Sequence, residues 1–473
     1  MPDEAVVVGS GPNGLAAAIV LARAGLATTV LEAEETFGGG CRSAELTLPG
    51  FVHDTCSTVQ SLALASPFLR SLPLAEHGFE PVHPDAPLAH PLDDGTAVIL
   101  ERSVAATAAG LGPDERAYRR TFEPLVRDAD ALFAGVLAPP RPPRHPLALA
   151  RFGLDAVRSA GGLARSRFEG ERARALLAGC AAHSFLPLSA PVSAAFGIVL
   201  ALGAHAVGWP VARGGSQRVA DAMASHLRSL GGTIETGHRV SSLDDDAVRG
   251  RLALLDVAPR GLLRIAGERL PELYRRRLGR YRYGPGVFKL DWALDGPIPW
   301  TAPEAARGAT VHLGGTLEEI EAGEAAVTRG EHPERPFVLL VQASRFDPTR
   351  APAGKHTAWA YCHVPNGSTR DMTDAVEAQV ERFAPGFRDL VAARSAMDSA
   401  EVERRNANYV GGDIIAGVQD WRQLFTRPVA RPVPYSTPLP DVFLCSSSTP
   451  PGGGVHGMCG YWAAKAALRR RGR

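Results

Sequence analysis

Four groups of residues in this 473-residue chain have types and spacing suited to chemistry. The first is Gly9-Ser10-Gly11-Pro12-Asn13-Gly14, a G-x-G-x-x-G run that is followed, after a second apolar stretch, by Glu32. Gly9 permits a tight turn, Gly11 lets backbone approach a pyrophosphate, and Gly14 lets a helix pack closely on a strand, with Pro12 inside the run. The anion would rest on a helix N-terminus, where free N–H groups and the positive dipole end favour it. Glu32 stands where an acid would bind both ribose hydroxyls, which disfavours a 2′-phosphate. The second group is the stretch from Gly452 to Gly460, another glycine-rich loop feeding a helix, suited to donating N–H groups to a phosphate or an electron-rich ring. Lys289 is the third, one of three lysines among 51 basic residues, in the alternating run Val287 to Leu294. Two readings of it are open: a cation with a part in the chemistry, or a strand lysine facing solvent. The fourth is His456, either a base or ring-fixing group beside the loop, or a histidine that hydrogen-bonds backbone. His53 and Asp54 are weaker candidates, and Trp359, Tyr361 and His363 line a pocket or pack in the core.

These residues need elements to hold them. Ala5 to Val8 reads as a strand, Leu15 to Ala24 as a buried helix closed by Gly25, and Thr28 to Glu32 as a second strand, which together make a βαβ unit. A periodic helix after Gln217 carries Val219, Met223 and Leu227 on one face and stops at Gly231-Gly232. Strands are expected at 233–236, 238–240 and 251–257, and again at 441–445, before an Ala-rich helix through Ala467. An amphipathic helix is expected over 373–393.

The βαβ unit alone does not separate NAD from FAD. Gly38-Gly39-Gly40-Cys41-Arg42-Ser43 resembles the G-G-x-x-R-S element of glutathione-reductase-type FAD proteins, and Ser446 to Gly460 resembles the S-S-T-x-P-G-G-G-V-x-G segment of phytoene-desaturase-like flavoproteins. Runs at 284–292, 359–365 and 408–413 resemble the branch named for a pyridine nucleotide-disulfide oxidoreductase domain. The resemblance, to the FAD-dependent amine oxidase and carotenoid desaturase superfamily, spans nearly the whole chain. It implies an α/β fold: a glutathione-reductase-type, Rossmann-like FAD-binding domain assembled from 1–64, 213–259 and 406–473, with an inserted α+β substrate domain from 65–212 and 260–405. It further implies that Arg42 holds the pyrophosphate, Gly39 and Gly40 pass the ribityl chain, and Val240 meets the adenine through its backbone. Ser447 stands where many relatives have an Asp, and Gly454, Gly457 and Met458 bring a helix start to the flavin. Lys289 would reach a water near the flavin N5. The expected reaction is dehydrogenation of a C–C or C–N bond in a hydrophobic small molecule by hydride transfer to FAD; a redox-neutral flavin-dependent isomerase and a non-catalytic regulatory flavoprotein are the alternatives.

Composition excludes other classes. A net charge of +1 with 21% charged residues argues against a disordered tail and a nucleic-acid partner. Six scattered cysteines without a C-x-x-C pair, and an acidic N-terminus without a basic leader, fit a reducing, cytoplasmic location. No metal-ligand spacing and no Ser/His/Asp order emerges. No second G-x-G-x-x-G follows a strand, so oxygen, a quinone or a protein is the expected electron acceptor in place of NAD(P). The uncharged stretch 185–212 holds several prolines and glycines and reads as a buried helix lining a cavity, with peripheral contact with lipid left open.

Overall fold

The computed structural model describes residues 4–472. Two sheets dominate it. The first has five parallel strands in the order Val442–Leu444, Leu252–Leu255, Glu4–Val8, Ala27–Leu31, Thr233–Glu235. Val6, Val7 and the Leu252–Leu255 strand are enclosed on both faces, which is why these runs are continuously apolar and do not alternate. Helix Pro12–Arg23 follows the first strand, and helices Gln217–Ser229 and Met458–Arg470 pack beside it. That packing depends on missing side chains: a Cβ at Gly14 would lie 2.0 Å from the Gly9 carbonyl oxygen, and one at Gly460 would lie 1.8 Å from that of Asn13.

The second sheet has seven strands in the order Val391–Met397, Gly286–Leu294, His356–Val364, Val338–Val341, Gly308–Leu313, Ala86–Pro91, Ala97–Leu100, antiparallel except where Gly308–Leu313 runs parallel to Ala86–Pro91. Successive side chains alternate between two faces. One face sends Phe288, Leu290, Trp292, Leu340 and Ala360 into a core covered by Val376, Val380 and Phe383 of helix Thr373–Phe383. The other carries two cross-strand rows, Asp291–Trp359–Val341–Thr310 and Lys289–Tyr361–Leu339–His312.

Three sequence expectations change. The helix expected over 373–393 ends at Phe383, because Pro385 and the left-handed Gly386 stop it, and Val391–Met397 instead forms the half-exposed edge strand of the second sheet. Residues 238–240 pair with no strand; after the left-handed Gly237 the His238 N–H donates to the Glu32 carbonyl at 2.8 Å, and the His238 and Arg239 side chains reach Asp245 and Glu34. Lys289 does not face solvent: it is 3% exposed. The stretch 185–212 contains the helix Ser193–Ala206, and among the described residues no helix is long and apolar enough to cross a membrane.

Candidate functional site

A cavity of about 570 Å3 runs from the glycine loop of the first sheet to the second face of the other. Its first end is built by the βαβ unit. Glu32, at the end of its strand, is held by the loop it faces: one carboxylate oxygen accepts from the Ser10 N–H at 3.0 Å and from the Ser10 hydroxyl, the other from the Glu34 N–H at 3.0 Å. Gly9, Gly11 and Pro12 share the wall, with Pro12 opening the helix. Gly14 does not reach the wall; it makes the strand–helix contact, and its N–H donates to Asp256 Oδ2 at 2.9 Å.

Asp256 is a wall residue that the sequence reading missed. It follows the Leu252–Leu255 strand, and burial pushes its carboxyl up to about 7; the Gly14 N–H works against this and the Glu32 charge adds to it. The available signal was an acid at the carboxyl end of a parallel strand, where ligands of α/β sheets bind.

Gly39, Gly40, Arg42, Val240, Ser447 and Gly454 also line the cavity. Arg42 donates to the carbonyls of Gly39 (3.1 Å) and Arg405. A Cβ at Gly40 would come 2.2 Å from the hydroxyl of Tyr409, a second wall residue, which the sequence reading placed in the 408–413 run without assigning it to the site. Ser447 Oγ accepts from Asn13 Nδ2 at 3.1 Å.

His456, Gly457 and Met458 are not on the wall. Gly457, left-handed at φ 66°, seats the last helix against Ala16, and the Met458 N–H donates to His456 Nδ1 at 3.0 Å. His456 is buried, which lowers its pKa to about 4, so the ring is neutral and acts as a cap on the Met458 N–H.

The far wall is apolar and aromatic: Leu200, Trp209, Leu339, Val341, Trp359 and Tyr361. Trp359 stacks on Tyr361 at 5.9 Å and donates its indole N–H to Thr58 at 2.7 Å. Lys289 lies beside this wall on the same face of the sheet without lining the cavity, its ammonium 5.0 Å from the Trp359 ring and 2.5 Å from Asp291 Oδ2. Between Lys289, Cys56, Tyr361 and Tyr409 is a void of about 20 Å3, enough for one water. Asp291 also lies 3.5 Å from His53 Nδ1, and His53 is held neutral, with its pKa lowered to about 3 by burial and then by the Lys289 charge. Asp54 is bound by Arg350 at 3.0 Å and Ser43 at 2.6 Å, which ties its short ribbon to the Pro348–Arg350 turn. His363 pairs with Glu324 at 2.8 Å and its ring lies 3.9 Å from that of Phe185, tilted by 39°, away from the wall.

These residues fit FAD. A buried carboxylate at a dinucleotide loop, glycines that leave backbone bare along the middle, and an aromatic wall beyond supply the surfaces that a ribose, a diphosphate with its ribityl chain, and a flavin ring require.

The first sheet and its loop define a dinucleotide-binding Rossmann-like protein, and the NAD(P)-binding Rossmann-like domain family matches residues 7–63. Over nearly its full length the chain is 28% identical to pyridine nucleotide-disulfide oxidoreductase domain-containing protein 2 of Mus musculus, covering 98% of this chain and 93% of that one. It is 34% identical to hydroxyneurosporene desaturase of Rhodobacter capsulatus over 29% of each chain. A solved structure of putrescine oxidase bound to putrescine shares the fold, with a TM-score of 0.61 over 100% of both chains at 17% identity. The chain is thus similar along nearly its whole length to an oxidoreductase-domain protein and over part of it to a desaturase, and it shares its fold with putrescine oxidase.

Proposed function

We propose that this FAD-dependent oxidoreductase dehydrogenates a C–C or C–N bond of a hydrophobic small molecule, and that residues 65–212 and 260–405 form the substrate domain inserted into a glutathione-reductase-type FAD domain. The observation that carries the reading is the continuity of one cavity from the Glu32 end to the apolar wall of the second sheet. Bound FAD would supply a hydride acceptor.

The chain's own part is to bind, orient and exclude water. Glu32 receives the ribose hydroxyls, and the N-terminus of helix Pro12–Arg23 faces the diphosphate with Arg42 beside it. Gly39, Gly40 and Gly454 leave the backbone bare along the ribityl chain, Val240 meets the adenine end, and Ser447 borders the ring. Trp359 and Tyr361 hold an apolar substrate and keep water out. Lys289 is the catalytic candidate: its charge, neutralised by Asp291, is one water-sized void away from the wall, where it can orient a water toward the flavin. His456 orders the loop through Met458. Oxygen, a quinone or a protein takes the electrons, and the expected setting is the cytoplasm, with peripheral lipid contact an open variant of it.

The test is anaerobic mixing of the oxidised holoprotein with apolar amines, alcohols and polyenes. Substrate-dependent bleaching of the flavin band is expected. Turnover only after pre-reduction, without net electron transfer, would overturn dehydrogenation.

A further inference from the structure

Beyond the flavin end, the far wall of the cavity carries two polar groups among apolar neighbours. Thr310, 1% exposed, lies on the wall, and its hydroxyl has no hydrogen-bond partner among the described residues. A buried hydroxyl left unpaired costs about 1–3 kcal/mol, so its retention between Leu339 and Val341 calls for a ligand. His183 is the second. It is half-buried on the same wall, and only its Nε2 is engaged, 2.9 Å from Nε2 of His312.

His183 is held in place from behind. His90 Nε2 lies 2.8 Å from the Gly315 carbonyl, an acceptor only, so that nitrogen carries the proton and Nδ1 of the neutral ring is a lone pair. The unpartnered Nδ1 atoms of His90 and His312 converge on Gly179, where a Cβ would lie 3.1 Å and 2.7 Å from them. In the His183–His312 contact one Nε2 donates and the other accepts, and His183 Nδ1 is left without a hydrogen-bond partner among the described residues. Burial keeps the rings neutral: His183 is lowered to about 3, with the nearby His363 adding to the effect, and His312 lies well below its ordinary value. Among the described residues no group of three or more His, Cys, Asp or Glu is arranged for a metal ion. Lys289 is already paired with Asp291, and Glu324 is engaged by the His363 ring, so among the described residues neither of these side chains stands free for a carboxylate or an ammonium.

We propose that His183 and Thr310 form a subsite for a neutral hydroxyl group on an otherwise apolar substrate, the hydroxyl pairing with His183 Nδ1 and with the Thr310 hydroxyl. The proposal deepens the dehydrogenase reading and rests on it for the word substrate; the subsite itself is a binding claim that stands or falls separately. A site built around a hydroxyl discriminates strongly against analogues that lack it.

The probes are 1-octanol, its isostere heptyl methyl ether, octanoate and octylammonium, measured by equilibrium dialysis against the FAD-loaded protein. Octanol is expected to bind at least about tenfold more tightly than each of the others. The isosteric Thr310→Val and the larger change His183→Phe should each reduce the octanol-to-ether ratio to within about twofold of unity, with FAD content unchanged. Equal binding of octanol and ether, tighter binding of octanoate or octylammonium, absence of saturable octanol binding, or discrimination that survives in Thr310→Val would overturn the subsite. Failure of the FAD reading shows differently, as a protein that purifies without flavin, and the same dialysis on that protein would still decide the subsite.

Discussion

At the scale of single residues, the site is governed by carboxylates and a lysine whose surroundings are set by burial. Asp256 has a folded-state pKa of about 7, above its ordinary 3.8, so its contribution to stability is complete below the ordinary value and is lost as pH rises through about 7. A diphosphate bound at the neighbouring helix N-terminus adds negative charge beside it and raises that pKa further, so FAD binding should take up a proton. FAD affinity is therefore expected to fall above pH 7, by up to roughly tenfold per pH unit, and Asp256→Asn should flatten the dependence. Fluorescence titrations between pH 6 and 9 check this, and an equal slope in the variant would refute it. Lys289 and Asp291 behave as a unit. Lys289→Met leaves Asp291 as an unmatched buried charge and should destabilise the protein by about 3–5 kcal/mol, while the double change to Met and Asn should recover most of that loss. Stopped-flow reoxidation of the double variant, with FAD still bound, should be slower than that of the native protein. An unchanged rate would remove Lys289 from the chemistry. Glu32 and the glycine loop were legible in the sequence because their geometry is local; the Lys289–Asp291–His53 cluster was not, because it depends on which strands lie side by side.

At the scale of elements, contact between helices Pro12–Arg23 and Met458–Arg470 carries the first sheet. Gly460→Ala would place a methyl 1.8 Å from the Asn13 carbonyl oxygen, and backbone cannot yield as a flexible side chain can. The expected cost is ~1–3 kcal/mol or more, with loss of bound FAD, since the same shift opens the glycine loop. Thermal melts with FAD quantification read both effects, and a fully loaded, equally stable variant would contradict the close contact. The central strands Glu4–Val8 and Leu252–Leu255 and their neighbour Val442–Leu444 announced themselves through apolar runs. The edge strand Val391–Met397 did not: its alternation is weak, with Ala393 and Arg394 exposed or half-exposed, and small and Arg-rich sequence carries a helical period as readily as a strand one. The break at Pro385-Gly386 was the signal available, and it outweighs periodicity.

At the scale of the whole molecule, strands from the start, middle and end of the chain meet in one parallel sheet, and the stretches between them supply the second. Motif order along the sequence reveals the first arrangement. It cannot reveal the second, because the row from Asp291 through Trp359 and Val341 to Thr310 unites residues from strands whose only relation is register. That register also brings His312 beside His183 and gives the cavity a neutral polar end. The name of the closely aligned mammalian relative mentions a disulfide, yet the six cysteines here are all free, and burial pushes the thiols of Cys41 and Cys56 upward, away from thiolate chemistry. The redox role in this account belongs to flavin alone. The most direct measurement is the flavin content of the purified protein, read from its visible spectrum and from the nucleotide released on heating. The account predicts one FAD per chain, with Glu32→Ala and Arg42→Ala weakening its retention; a protein that binds no flavin, or holds a nicotinamide dinucleotide in its place, would contradict it.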